Sequence, residues 1–316
     1  MKIYGTTKGG AESKKDWGVA FGGAAATTAV RGVIGGGLDS TTYSNVMDFF
    51  TIDTTGDAED FGDLSARRGL AAFADATRGC YMGGYDGSNS NVIEYITVAT
   101  ESNTTDFGDL SVARRQPAGL ADATRGCCGG GYVSSASDII DYVTIDTTGN
   151  ASDFGDLTQA RNALGGLANA TRGCFCGGDI GGTPGSVTTI DYITIDTTGN
   201  ASDFGDLTVD RWGVAGLADA TRGVICGGSE ESTRTNIMDY ITIDTTGNAS
   251  DFGDLTTQFS NTSACADTTR GCIAGGSSTA TTYLNNIDYI TIDTTGNGTD
   301  FGDLTVARNQ LAGLAA

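Results

Sequence analysis

The chain carries 39 Asp and Glu against 18 Lys and Arg, and its 316 residues include no histidine. Without imidazole there is no Ser-His or Cys-His nucleophile pair, no imidazole base near neutral pH and no His-ligated copper or zinc. A glycosidase working with two carboxylates stays open. The acids, however, recur in sets of six, which is symmetry rather than a unique catalytic pair. One set is Asp48, Glu94, Asp141, Asp191, Asp239 and Asp288; six arginines that open the second strand of each unit ahead of a glycine, Arg31, Arg78, Arg125, Arg172, Arg222 and Arg270, match it in number. The match predicts a repeated, partly buried ion pair that joins strands or neighbouring blades, whose rupture would cost about 3 to 5 kcal/mol if burial is deep. The alternative is a ring of arginines that holds an anion. Seven further arginines (Arg67, Arg68, Arg114, Arg115, Arg161, Arg211, Arg308) also sit at repeating places, and only Arg234 is off the pattern.

Eight cysteines invite a disulfide or metal reading, and their positions argue against both. Cys80, Cys127, Cys174 and Cys272 fall two residues after an Arg-Gly arginine, where Val33 and Val224 stand in the other two copies. A slot that accepts valine is a packing slot, so free, buried thiols are expected. No cysteine pair has zinc-site spacing, so no metal and no cofactor is assigned. Asn150-Ala-Ser, Asn200-Ala-Ser, Asn248-Ala-Ser and Asn297-Gly-Thr fit a glycosylation pattern, but the sequence opens on no recognisable leader. Nearby carboxylates such as Asp196, Asp203 and Asp206 lack EF-hand spacing. Turn chemistry is therefore the expectation, with repeated Ca²⁺ binding left open.

The block Asp-Phe-Gly-Asp-Leu explains this sixfold bookkeeping. It begins at Asp60, Asp106, Asp153, Asp203, Asp251 and Asp300, at spacings of 46, 47, 50, 48 and 49 residues, the period of solenoids and propellers. Each unit reads as four short strands. The segment Asp239-Tyr-Ile-Thr-Ile-Asp244 is β-branched and aromatic and runs into a Thr-Thr-Gly-Asn turn. No window keeps a helical apolar stripe, and 49 glycines would penalise helices throughout.

The double glycines (Gly83-Gly84, Gly130-Gly131, Gly177-Gly178, Gly227-Gly228, Gly275-Gly276) resemble those of the kelch repeat. So do the third-strand tyrosines (Tyr95, Tyr142, Tyr192, Tyr240, Tyr289), followed by Phe107, Phe154, Phe204, Phe252 and Phe301 where kelch repeats place Trp. The resemblance implies an all-β, six-bladed β-propeller of four-stranded antiparallel blades. Histidine-dependent copper oxidases on kelch-like propellers are excluded by composition. The Thr-Gly-Asn-Ala-Ser-Asp-Phe-Gly-Asp-Leu wording is also similar to repeats in structural and tail proteins of marine bacteriophages, a likeness that carries no catalytic residues.

Strand counting gives units at 17–66, 67–113, 114–160, 161–210, 211–258 and 259–307, with a closing strand at 308–316. Two segments compete for the inner place of the first blade: 17–22 and the terminal 311–316. The terminal one is expected to close the ring and remove exposed edges. Residues 1–16, with Lys2, Lys8, Lys14 and Lys15, read as an arm. The net charge of -21 argues against nucleic acid. No membrane span is expected, and folding in a host cytoplasm before incorporation into a virion fits the free thiols.

What differs between copies is the loop after each double glycine. These loops hold Tyr85, Asp86, Tyr132, Glu230, Glu231, Arg234 and Tyr283 among Gly, Ser, Thr and Asn, a composition suited to adaptable contacts on a rigid support. The expectation is a non-enzymatic virion structural or adhesion protein, tail or fibre associated. It would contact other virion proteins through its arm or a disc face, and self-association stays open. The alternatives are a module that recognises a host surface glycan and, behind it, a glycan-cleaving enzyme.

Overall fold

The structure, a computed structural model, describes residues 29–316. The arm at 1–16 and the competing segment at 17–22 lie outside the described residues. Six four-stranded antiparallel sheets form a closed circle of blades, a β-propeller. The second blade shows the order from the centre outward: Ala71–Ala74, Arg78–Met82, Val92–Thr97 and Thr105–Asp109. In the first blade the inner place belongs to Ala312–Ala315, which pairs with Arg31–Gly35. The ring is thus closed by the terminal strand. No helix among the described residues is long and apolar enough to cross a membrane.

Inner strands consist of residues such as Ala-Gly-Leu-Ala because they approach one another backbone to backbone. A Cβ on Gly216 would lie 2.5 Å from the carbonyl oxygen of Gly166 in the preceding blade. The apolar core is divided into six clusters, and each spans two neighbouring blades. One joins Cys174, Ile190 and Phe204 to Val214, Ile225 and Ile241. Full burial of a residue like Ile225 contributes about 1.5 to 3 kcal/mol, and here that gain exists only while adjacent blades stay in contact.

The Asp-Phe-Gly-Asp-Leu block is a bulged edge strand. In the fifth blade Met238 faces Gly253 and Asp239 faces Asp251, so Phe252 is the extra residue. The same shift recurs in every blade. A bulge bends the strand and re-aims side chains: Phe252 turns inward and meets Tyr240 edge to face, at 6.2 Å between ring centres. The Thr-Thr-Gly-Asn turn of the next blade then covers the free edge. Gly247 N donates to Phe204 O, Ala249 N to Asp206 O, and Asp206 N to Oδ1 of Asn248. Asparagines of the glycosylation pattern therefore use their side chains to tie blades together.

Candidate binding face

Two sets of connections share one face of the disc: the double-glycine loops, and the turns that lead from an outer strand to the next inner strand. The second glycine of each pair donates its N–H to a carbonyl in one of these turns, as Gly84 does to Arg114 and Gly178 to Arg211, both at 2.9 Å. Gly84 has φ +109°, a backbone state that side chains disfavour. At the centre of this face six residues of the turns close a hoop of backbone hydrogen bonds. Gln116 N donates to Gly69 O, Ala163 to Gln116, Gly213 to Ala163, Asn261 to Gly213, Gln310 to Asn261 and Gly69 to Gln310, at 2.6 to 2.9 Å. All six are left-handed, with φ between +53° and +66°. Four of them are not glycine, a costly state that persists because the hoop fixes it.

Beneath this face lie the buried ion pairs, and their arginines are not the predicted ones. Arg67 pairs with Glu94, Arg114 with Asp141, Arg161 with Asp191, Arg211 with Asp239 and Arg308 with Asp48, at 2.7 to 3.1 Å. Arg211 also donates to the carbonyls of Gly227 and Ile237, while Asp239 accepts from the Thr208 amide and hydroxyl. Arg67, Arg114, Arg211 and Arg308 so pin the incoming turn to two strands of the blade, and Arg161 to the third strand. Burial alone would push Asp48 up and Arg308 down from their ordinary pKa values, and burial is the larger influence on each.

The Arg-Gly arginines could not reach those acids, for a reason of register. Glu94 stands opposite Tyr81, whereas Arg78 stands opposite Thr97. The offset of three residues is about 10 Å along the strand and points the side chains to opposite faces. Arg78 instead lies over the Tyr95 ring at 4.4 Å and donates to Ile145 O of the next blade at 2.7 Å. Arg125, Arg172, Arg222 and Arg270 repeat this on Ile195, Ile243, Ile292 and Ile52. Arg31 lies over Phe49 and meets Glu101 at 2.7 Å. These arginines stitch neighbouring blades together.

Of the loop residues singled out from sequence, the structure brings two together. Tyr85 and Tyr132 flank the guanidinium of Arg115, whose Cζ lies 5.2 and 4.2 Å from their ring centres. Arg68 continues the row between Tyr85 and Tyr43, at 5.5 and 5.8 Å, and Tyr43 meets Tyr85 edge to face. The result is an alternating row, Tyr43, Arg68, Tyr85, Arg115, Tyr132, across three adjacent blades. Backbone pairs hold it: Arg68 with Tyr85 and Arg115 with Tyr132 exchange hydrogen bonds in both directions. Asn89 locks the second junction, accepting from Arg115 Nη1 and donating to the carbonyls of Tyr132 and Val133.

The other candidates stand apart from this row. Asp86 accepts from the amide and hydroxyl of Ser88 within its own loop. Glu230, Glu231 and Arg234 belong to a small hairpin, Ser229–Glu230 and Thr233–Arg234, braced by Trp212 Nε1 donating to Glu231 O at 3.0 Å. Tyr283 bridges to Ser277 in the sixth blade. Arg68, Arg115 and Tyr43 were not among the sequence candidates. The signal for the first two is nevertheless in the sequence: only the units containing Gly-Gly-Tyr85 and Gly-Gly-Tyr132 double the arginine that precedes the inner strand.

The eight cysteines are all buried and unbridged. Burial pushes Cys80, Cys174, Cys226 and Cys272 up to about 12, far from the thiolate that a nucleophile or metal ligand needs. Among the described residues no three Cys, Asp or Glu side chains gather as a metal cluster. Comparison with known proteins finds no matching family and no matching curated protein.

Proposed function

We propose that this chain is a non-enzymatic display scaffold, a structural or adhesive component of a phage particle in its tail or fibre apparatus. The observation that carries this reading is the division of labour in the propeller. Side chains that recur from copy to copy are spent on cohesion: buried ion pairs in five of the six blades, bulge phenylalanines and arginines reaching into the next blade. Departures from the repeat cluster on the double-glycine face, where the second glycine of each pair ties its loop by backbone to the turns that carry the hoop. The wording shared with phage repeats supplies the setting. Contact with other virion proteins falls to the opposite face and to the arm at 1–16, which is outside the described residues.

The test is made on particles. Antibodies raised against loop 85–90 and loop 132–137 should bind intact particles and block attachment to cells, whereas antibodies against the turn 245–248 should not block it. Loops that become accessible only in disrupted particles, or product released from a host polysaccharide by the purified chain, would refute this function.

A further inference from the structure

We infer that the row Tyr43, Arg68, Tyr85, Arg115, Tyr132 is a binding site for an anionic saccharide, one bearing carboxylate or sulfate groups. This rests on the display reading and names what the displayed face would take.

Charge is the first ground. Arg68 and Arg115 both lie within 5.5 Å of the centre of the Tyr85 ring. Among the described residues neither has a carboxylate within ion-pair distance, and the Arg68 guanidinium makes no hydrogen bond. Every fully buried arginine, by contrast, has its acid. Two like charges held against one ring in a chain of net charge -21 form a local positive spot that an anion would neutralise. The net charge itself repels a polyanion at long range. At about 0.15 M salt the screening length is about 8 Å, so contact with the two guanidinium groups decides the outcome.

Shape and lining are the second ground. Beside Arg68 lies a shallow depression of about 460 Å³, lined by Leu38, Thr41, Thr42, Tyr43 and Arg68. Such a volume falls in the range of small-ligand sites. The Thr41 and Thr42 hydroxyls donate to the Asp39 carboxylate, so they meet a sugar as acceptors; with the Arg68 cation, an aromatic ring and an aliphatic edge they suit a ligand that presents hydroxyls at its rim and C–H groups on its faces. From this depression the row continues over two more blades, with Arg115 as a second cation. An extended acidic chain could follow it.

The experiment measures binding of the full chain at 0.15 M NaCl to four probes: oligogalacturonate, a heparin-derived oligosaccharide, maltoheptaose and poly-glutamate. Oligogalacturonate or the heparin fragment should bind, and which of the two binds more tightly identifies carboxylate or sulfate. Arg68→Gln and Arg115→Gln should each weaken that binding at least tenfold. Arg234→Gln, on the same face but outside the row, should leave it unchanged. Arg68→Lys, which keeps the charge and loses the planar stack, should fall between and guards against a misfolded Gln variant; each variant is checked by its melting curve. Equal binding of maltoheptaose, tighter binding of poly-glutamate, indifference to both Gln substitutions, or no saccharide binding would overturn the inference. If no anionic saccharide binds while antibodies to the loops still block attachment, only the ligand class fails. If the loops are inaccessible on intact particles, the display reading fails whatever the binding shows.

Discussion

Phe259 fills the place that an arginine holds in the other five blades, and it leaves the buried carboxylate of Asp288 without a cation. The equivalence is fixed by the backbone: Phe259 O accepts from Gly228 N just as Arg211 O accepts from Gly178 N. Asp288 keeps the kind of hydroxyl and amide contact, here from Thr256, that Asp239 has from Thr208. Burial raises its pKa above the ordinary 3.8, against the smaller downward pull of those hydrogen bonds.

The two kinds of buried acid should lose very different amounts of stability on neutralisation. Asp239→Asn strands Arg211 in the core and should cost about 3 to 5 kcal/mol. Asp288→Asn strands no charge and should cost less than about 1 kcal/mol at pH 7. Urea denaturation of both variants checks this, and equal losses would contradict it.

A pH dependence follows from the same raised value. A group that binds its proton more tightly when folded contributes stability that is complete below its unfolded pKa and is lost as pH rises through the folded one. The Asp288 contribution is therefore full below about 3.8 and declines above it. Wild type minus Asp288→Asn, followed in stability from pH 3.5 to 7, should show that decline; a difference that grows with pH would contradict it.

Gly205 should not tolerate a side chain. A Cβ there would lie 2.5 Å from the Gly247 carbonyl oxygen of the next blade, and its φ is +147°. Gly205→Ala should lower stability by about 1 to 3 kcal/mol. Gly199→Ala, where nothing lies within 4 Å of the added carbon, should cost less. Melting curves of the pair separate crowding from the general penalty of replacing a glycine.

The thiols should be silent in the folded ring. At pH 8 a maleimide should label none of the eight cysteines in the native chain and all of them in 6 M guanidinium, since each is buried and unbridged. Rapid native labelling of Cys80 or Cys272 would contradict the burial that pushes them up to about 12.

Much of this architecture was legible in the sequence because repetition reports topology directly: six Asp-Phe-Gly-Asp-Leu blocks, six blades, and a spare inner strand that fits the first one. Pairing was not legible in the same way. Equal counts of Arg-Gly arginines and acids suggested partners, but only strand register shows that Arg78 and Glu94 face apart while Arg67 and Glu94 meet. Phe107 stands in the kelch Trp place, but that it is the extra residue of a bulge is not visible in its own segment, because a bulge is a property of two strands together. The tyrosine–arginine row escaped for a third reason. Arg68 and Arg115 follow directly on Arg67 and Arg114, and adjacent residues of one type point to different destinations, one into the blade and one across the face.

The hoop of amide contacts around the centre has a consequence for how such a surface can change over generations. Glycine, alanine, asparagine and glutamine all occupy it, so the frame draws on backbone groups that every residue but proline possesses. Mutations in the neighbouring loops can then try new chemistry outward, one blade at a time, while the wheel beneath them keeps its shape.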